Sequence, residues 1–215
     1  MNTKIKQERE REIIKERNHK KLKKAHDNNI IISDMNLGDK YTAFEDSKLN
    51  ESTTLLYEIN RKPKTFKRYS RGRIIRVKFG VNIGSEFSGD HYAIVVSKGD
   101  TMMSPTLHVI PLTSKKHLKN IDVGNILYDE KQYKKLEKTY DKETDCKTKK
   151  EIKKVLNYYQ KRKGKTTYAC IDHLKTISKL SICKTINEHD YLPNLKCSND
   201  ILKSIDENII KEYTL

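Results

Sequence analysis

Hydrophobic spacing changes twice along this chain of 215 residues, and the changes divide it. Over residues 1–26 apolar side chains are sparse, with Ile5, Ile13, Ile14 and Leu22 set among Lys, Arg and Glu. That predicts a weakly formed helix of low order. Residues 47–61 place Leu49, Leu55, Leu56 and Ile59 at helical spacings, and Lys62-Pro63-Lys64 ends the pattern as a linker.

From Arg71 the period becomes two. Ile75, Val77 and Phe79 alternate with Ile74, Arg76 and Lys78, which predicts a half-buried strand with a cationic outer face. Residues 92–97 and 106–112 are further strands rich in β-branched residues, joined by turn signals at 98–105, and residues 120–128 add another. Helical spacing returns at Tyr133, Leu136 and Tyr140, then at Ile152, Val155, Leu156 and Tyr159. These make two Lys-rich helices, or one interrupted near Asp145, inserted into a β domain and separable from it. Gly164 closes the insertion, and residues 166–171 resume strand character. Residues 174–177 continue that strand or pair with it. Ser198 caps a last helix whose Ile201, Leu202, Ile205, Ile209 and Ile210 form one stripe, expected to pack on the strands. The pattern predicts an α+β chain with a mainly β core. A basic helical extension over 1–65 precedes a domain over 66–215 with a helical insertion at about 129–164.

Composition narrows this. Apolar residues make up 35% and charged residues 34% of the chain, so part of its length is expected outside a packed core. Residues 1–26 lack an apolar run, which argues against a signal peptide and a spanning helix. Cys146, Cys170, Cys183 and Cys197 form no Cys-x-x-Cys pair, so neither disulfide framework, metal site nor cofactor is expected, and a cytoplasmic setting fits. The formal charge of +16 is segregated: residues 61–78 hold nine Lys/Arg and no acid, and residues 131–165 hold fourteen against five acids. Segregated cations attract polyphosphates, although a Lys-rich helix face is as often simply solvated.

Gly84-Ser85-Glu86-Phe87-Ser88-Gly89-Asp90-His91, preceded by Arg71-Gly72 and followed by Ala93, Val95, Val96 and Ser97, resembles the opening of the MazF/PemK toxins. Ser104-Pro105-Thr106 with Ile110-Pro111-Leu112-Thr113 matches the next block, and Asp172-His173-Leu174-Lys175-Thr176-Ile177 is similar to the later strand. The resemblance is close over 69–115 and looser over 166–213. It implies an SH3-like barrel of the MazF/CcdB type that dimerises, binds single-stranded RNA and is restrained by a cognate antitoxin. It also implies metal-independent cleavage through the 2′-hydroxyl to a 2′,3′-cyclic phosphate.

Such cleavage needs a base, a donor to the phosphorane and an acid. The resemblance assigns catalysis to Thr113 and to a position held here by His91 where the family has arginine. Histidine moves protons near neutral pH but lacks the permanent two-pronged cation of arginine. The missing charge is expected from Arg71, Arg73 or Lys175. Glu86 is either the base or an acceptor that orders its own loop. Ser85 shapes that loop, Phe87 is a candidate base platform, and Lys115, His173 and Lys175 are candidate RNA contacts. The Lys-rich insertion reads either as an RNA-binding arm or as a docking surface for an acidic protein segment. The alternative function is a toxin-fold binding module without catalysis, acting on a protein or a nucleic acid.

Overall fold

A computed structural model describes residues 2–35, 37–61 and 64–214, with side chains from residue 6; Lys62 and Pro63 of the expected linker lie outside the described residues. Two compact units divide the chain, Met1–Asp46 and Ser47–Leu215. In the first, α1 (Asn2–Asp34) is one continuous helix that runs past the residues 1–26 read as helical. Lys, Arg and Glu favour helix even without a packed face, and Glu16 pairs with Lys20 one turn on at 2.8 Å. Its Ile13, Leu22 and Ile31 are exposed. α2 (Phe44–Arg61) starts here, with Glu45 accepting from Ser33 Oγ at 2.6 Å.

The second unit is built on an antiparallel sheet, six-stranded among the described residues. Its strands are β1 (Ile74–Lys78), β2 (Asp90–Val95), β3 (Thr106–Thr113), β4 (Ile121–Gly124), β5 (Thr167–Ala169) and β6 (Lys175–Ser178). β3 is its hub. One edge pairs with β2, Ala93 facing Pro111; the other is shared between β6, over Thr106 to Val109, and β5, at Leu112 and Thr113. A 3-10 turn at Ile171–His173 steps the chain from β5 to β6 along that edge, so the two strands are neither one strand nor a hairpin. The ladder is open, with order β1-β2-β3-β5-β4 and β6 on β3. A second 3-10 turn at Lys179–Ser181 ends β6. The chain then reaches the free edge of β1 through single bridges alone, Val77 with Ile182 and Arg73 with Lys196.

Both faces of the sheet are covered. Ile75, Val77, Ala93, Val95, Leu107, Val109 and Ile177 pack together on one side. Ile74, Ile94, Ile110 and Leu112 pack against helices on the other. Ile74, read as part of a cationic outer face, is therefore buried, and only Arg76 and Lys78 keep that face accessible.

The insertion forms two helices, α3 (Glu130–Lys142) and α4 (Cys146–Gln160). Asp129 accepts from Gln132 N at 2.9 Å and Asp145 from Thr148 N at 2.7 Å, capping each helix. α4 buries Ile152, Val155, Leu156 and Tyr159, each contributing about 1.5–3 kcal/mol. The Tyr159 hydroxyl also donates to Asp190 at 2.5 Å. The insertion is thus part of the core, not a separable arm. α5 (Asn199–Tyr213), capped by Ser198, buries Ile205 and leaves Ile210 exposed, so its stripe is narrower than the sequence suggests.

Gly72 shows how closely α5 sits. Its φ is +78°, and a Cβ there would come within 2.9 Å of Leu202 Cδ1. Gly72→Ala is expected to cost about 1–2 kcal/mol, read as a lower urea midpoint at unchanged slope. Among the described residues no helix is long and apolar enough to cross a membrane. All four cysteines are free, and burial pushes the Cys170 and Cys197 thiols up to about 11, where neither is nucleophilic at neutral pH.

Candidate functional site

The loop between β1 and β2 is ordered by its own amides. Asn82 Nδ2 donates to the carbonyls of Phe79 and Phe87 at 2.9 and 2.7 Å, and Asn82 N donates to Ser88 Oγ at 3.0 Å. Glu86, weighed for that ordering role, instead faces Lys175 at 3.7 Å with 63% of its side chain exposed. Such a pair contributes well under about 1 kcal/mol. Ser85 is exposed on the same loop. Phe87 turns inward, its ring 4.5 Å from His91, 5.4 Å from His173 and 5.4 Å from Phe79. It is a packing anchor holding two imidazoles and not a free stacking platform.

His91 is the second residue of β2, half-buried and close to Gly89, whose φ is +90°. A Cβ on Gly89 would meet His91 Nε2 at 3.6 Å, an ordinary contact, so it is the positive φ and not the space that favours glycine there. Burial pulls the His91 pKa below the free imidazole's 6.5, against the opposing pull of the Leu112 and Ser88 carbonyls and the Asp90 charge. The ring is therefore neutral at pH 7. The paired register ends at Ala93 and Pro111; His91 and Thr113, each two residues beyond it, line the same cleft. Thr113 Oγ1 accepts from Lys115 N at 3.1 Å.

His91, Thr113 and Lys115 line one cleft of about 560 Å³, together with Arg76, Asp90, Tyr158 and the segment Lys161, Arg162 and Lys165. Five cations therefore face one carboxylate. Asp90 is taken up by Arg76 at 3.0 Å. The Arg162 guanidinium lies 3.7 Å over the Tyr158 ring and 5.5 Å from that of Tyr92, and it donates to Tyr158 O at 2.6 Å. The Tyr92 and Tyr158 hydroxyls share a hydrogen bond. Burial drives the Tyr92 pKa upward, so that hydroxyl stays protonated.

Arg76, Tyr158, Lys161, Arg162 and Lys165 are the residues that sequence reasoning missed. One signal was present, since Tyr158 and Arg162 stand four apart, the spacing at which a helical cation covers a ring. The expected cations lie elsewhere. Arg71 donates to Val96 O and pairs with Asp206 on α5. Arg73 lines a different cleft of about 300 Å³ with Lys67 and Arg68, and Lys175 is engaged by Glu86. Among the described residues one group has the makings of a metal site. Glu151, Glu188 and His189 bring ligand atoms within 4.8 Å of one another, and none of the three lines the His91 cleft.

The chain matches no family model, and no curated protein matches it significantly.

Proposed function

We propose that this protein is a metal-independent endoribonuclease of the MazF/PemK toxin type, cutting single-stranded RNA through its own 2′-hydroxyl. The observation that carries the reading is the meeting of His91 and Thr113 in one cation-rimmed cleft. A neutral imidazole can take the 2′-hydroxyl proton. The 2′-oxygen then bonds phosphorus, Thr113 Oγ1 donates to the phosphorane, and the 5′-oxygen leaves with a proton returned by the imidazolium. Arg76 and Arg162 supply positive charge where the phosphorane gains negative charge. The bridges from Ile182 and Lys196 to the β1 edge favour an SH3-like reading of the sheet. The same reading brings a second copy of the chain, a cognate antitoxin and a cytoplasmic setting.

Purified protein incubated with long single-stranded RNA in EDTA is expected to give site-specific cuts. The upstream fragments should carry 2′,3′-cyclic phosphates and the downstream ones 5′-hydroxyls. Intact RNA would overturn the reading in favour of a non-catalytic binding module.

A further inference from the structure

The turn that ends the inserted helix α4 has the attributes of a phosphate-binding wall. It carries Lys161, Arg162 and Lys165 into the cleft, and among the described residues no acid forms an ion pair with any of them. Asn125 clamps it once its amide is oriented by its neighbours, nitrogen toward Arg162 O at 3.1 Å and Lys165 O at 3.3 Å and oxygen toward Gly164 N at 2.9 Å. Arg162 N and Lys165 N close the turn on Tyr159 O and Arg162 O at 2.8 and 3.1 Å. Tyr158 beneath the guanidinium fixes its plane, leaving the donors not used on Tyr158 O at the guanidinium edge. The helix C-terminus contributes roughly half a negative charge, which three cations outweigh.

An unneutralised charge cluster on mobile lysines is an ordinary solvated surface. This one is built differently. Its backbone is clamped, its arginine is stacked, and α4 is anchored by a buried face. A rigid, concave, uncompensated cation site loses little entropy on meeting an anion. Its position beside His91 and Thr113 suits a chain of phosphates running past them, and not a ligand bound at a distance.

We infer that the Asn125-clamped turn of Lys161, Arg162 and Lys165 binds the backbone phosphates of single-stranded RNA next to the His91–Thr113 pair. The helical insertion thereby completes the nucleic-acid site and is not a separate surface for an acidic protein. This rests on the proposed RNA substrate, but not on cleavage.

The test is fluorescence anisotropy with a 2′-O-methyl RNA oligonucleotide, which lacks the attacking hydroxyl, across a salt series. Each phosphate contact to a single strand adds about 0.7 to the slope of log K against log salt. K161A/R162A/K165A is expected to bind at least about tenfold more weakly at 0.1 M salt, with the slope reduced by about 2. R162K, which keeps the charge and loses the planar stack, should hold the slope and lose part of the affinity. Asn125→Ala should weaken binding with every charge in place. Removing Lys135, Lys138 and Lys142, exposed on α3 outside the cleft, should leave the slope unchanged. An unchanged slope in the turn variant with its circular dichroism intact overturns the inference, as does an equal fall in both triple variants. Binding without cuts in unmodified RNA would sink the endoribonuclease reading alone, and wild-type protein that ignores the oligonucleotide sinks both.

Discussion

His91→Ala is expected to slow RNA cleavage in EDTA by about 10²–10⁴-fold while leaving binding of the uncleavable oligonucleotide within a few-fold of wild type. The separation is the informative part. Because burial keeps the ring neutral at pH 7, His91 adds almost no charge to phosphate binding, and its loss should fall on the chemical step. The pH profile gives an independent signature. A base of lowered pKa is competent above that value, so wild-type rate should rise through an inflection below 6.5 and be flat by neutral pH. The alanine variant should lack that inflection. The linkage has a matching sign: the folded state prefers the neutral ring, so this contribution to stability is present above 6.5 and fades as pH falls toward the lowered value. Wild-type cleavage rates in the variant would leave His91 as a wall of the cleft, packed on Phe87, and nothing more.

Part of this site was readable from the sequence because its residues lie near one another along the chain. Gly89, His91 and the alternation through Val95 belong to one turn-and-strand unit. Thr113 follows from the antiparallel register of the next strand. Arg71 misled because its guanidinium finds Asp206, 135 residues away, a contact no local pattern encodes. Arg162 was hidden for the opposite reason. A Lys-rich helix looks solvated until its buried stripe of Ile152, Val155 and Tyr159 fixes which end enters the cleft. The strands were legible by period, but not the second core over Ile74, since its cover comes from that same insertion and from Leu195. What the hydrophobic spacing marked as a separable insertion is, in packing terms, the other wall of the site.

Breaking the Asp100–Lys179 pair should have the largest effect on stability, about 3–5 kcal/mol for Lys179→Met. The two side chains are 1% and 2% exposed and meet at 2.6 Å. Each also satisfies backbone. Asp100 Oδ2 accepts from Tyr69 N at 2.7 Å, and Lys179 Nζ donates to Thr101 O at 2.9 Å. The pair therefore ties the approach to β1, the loop between β2 and β3, and the turn after β6, which is where the chain crosses back toward the β1 edge. Methionine fills the lysine's volume, so the cost is that of a buried carboxylate left without its cation together with the lost hydrogen bond to Thr101 O. At about 2–4 °C per kcal/mol for a domain of this size, the melting midpoint should fall by roughly 6–20 °C. Asp100→Asn in the same chain should recover much of that loss, since a neutral amide oxygen still accepts from Tyr69 N without a stranded charge. A double variant no more stable than Lys179→Met alone would show that the lysine's hydrogen bond to Thr101 O, and not the charge pair, holds the three segments together.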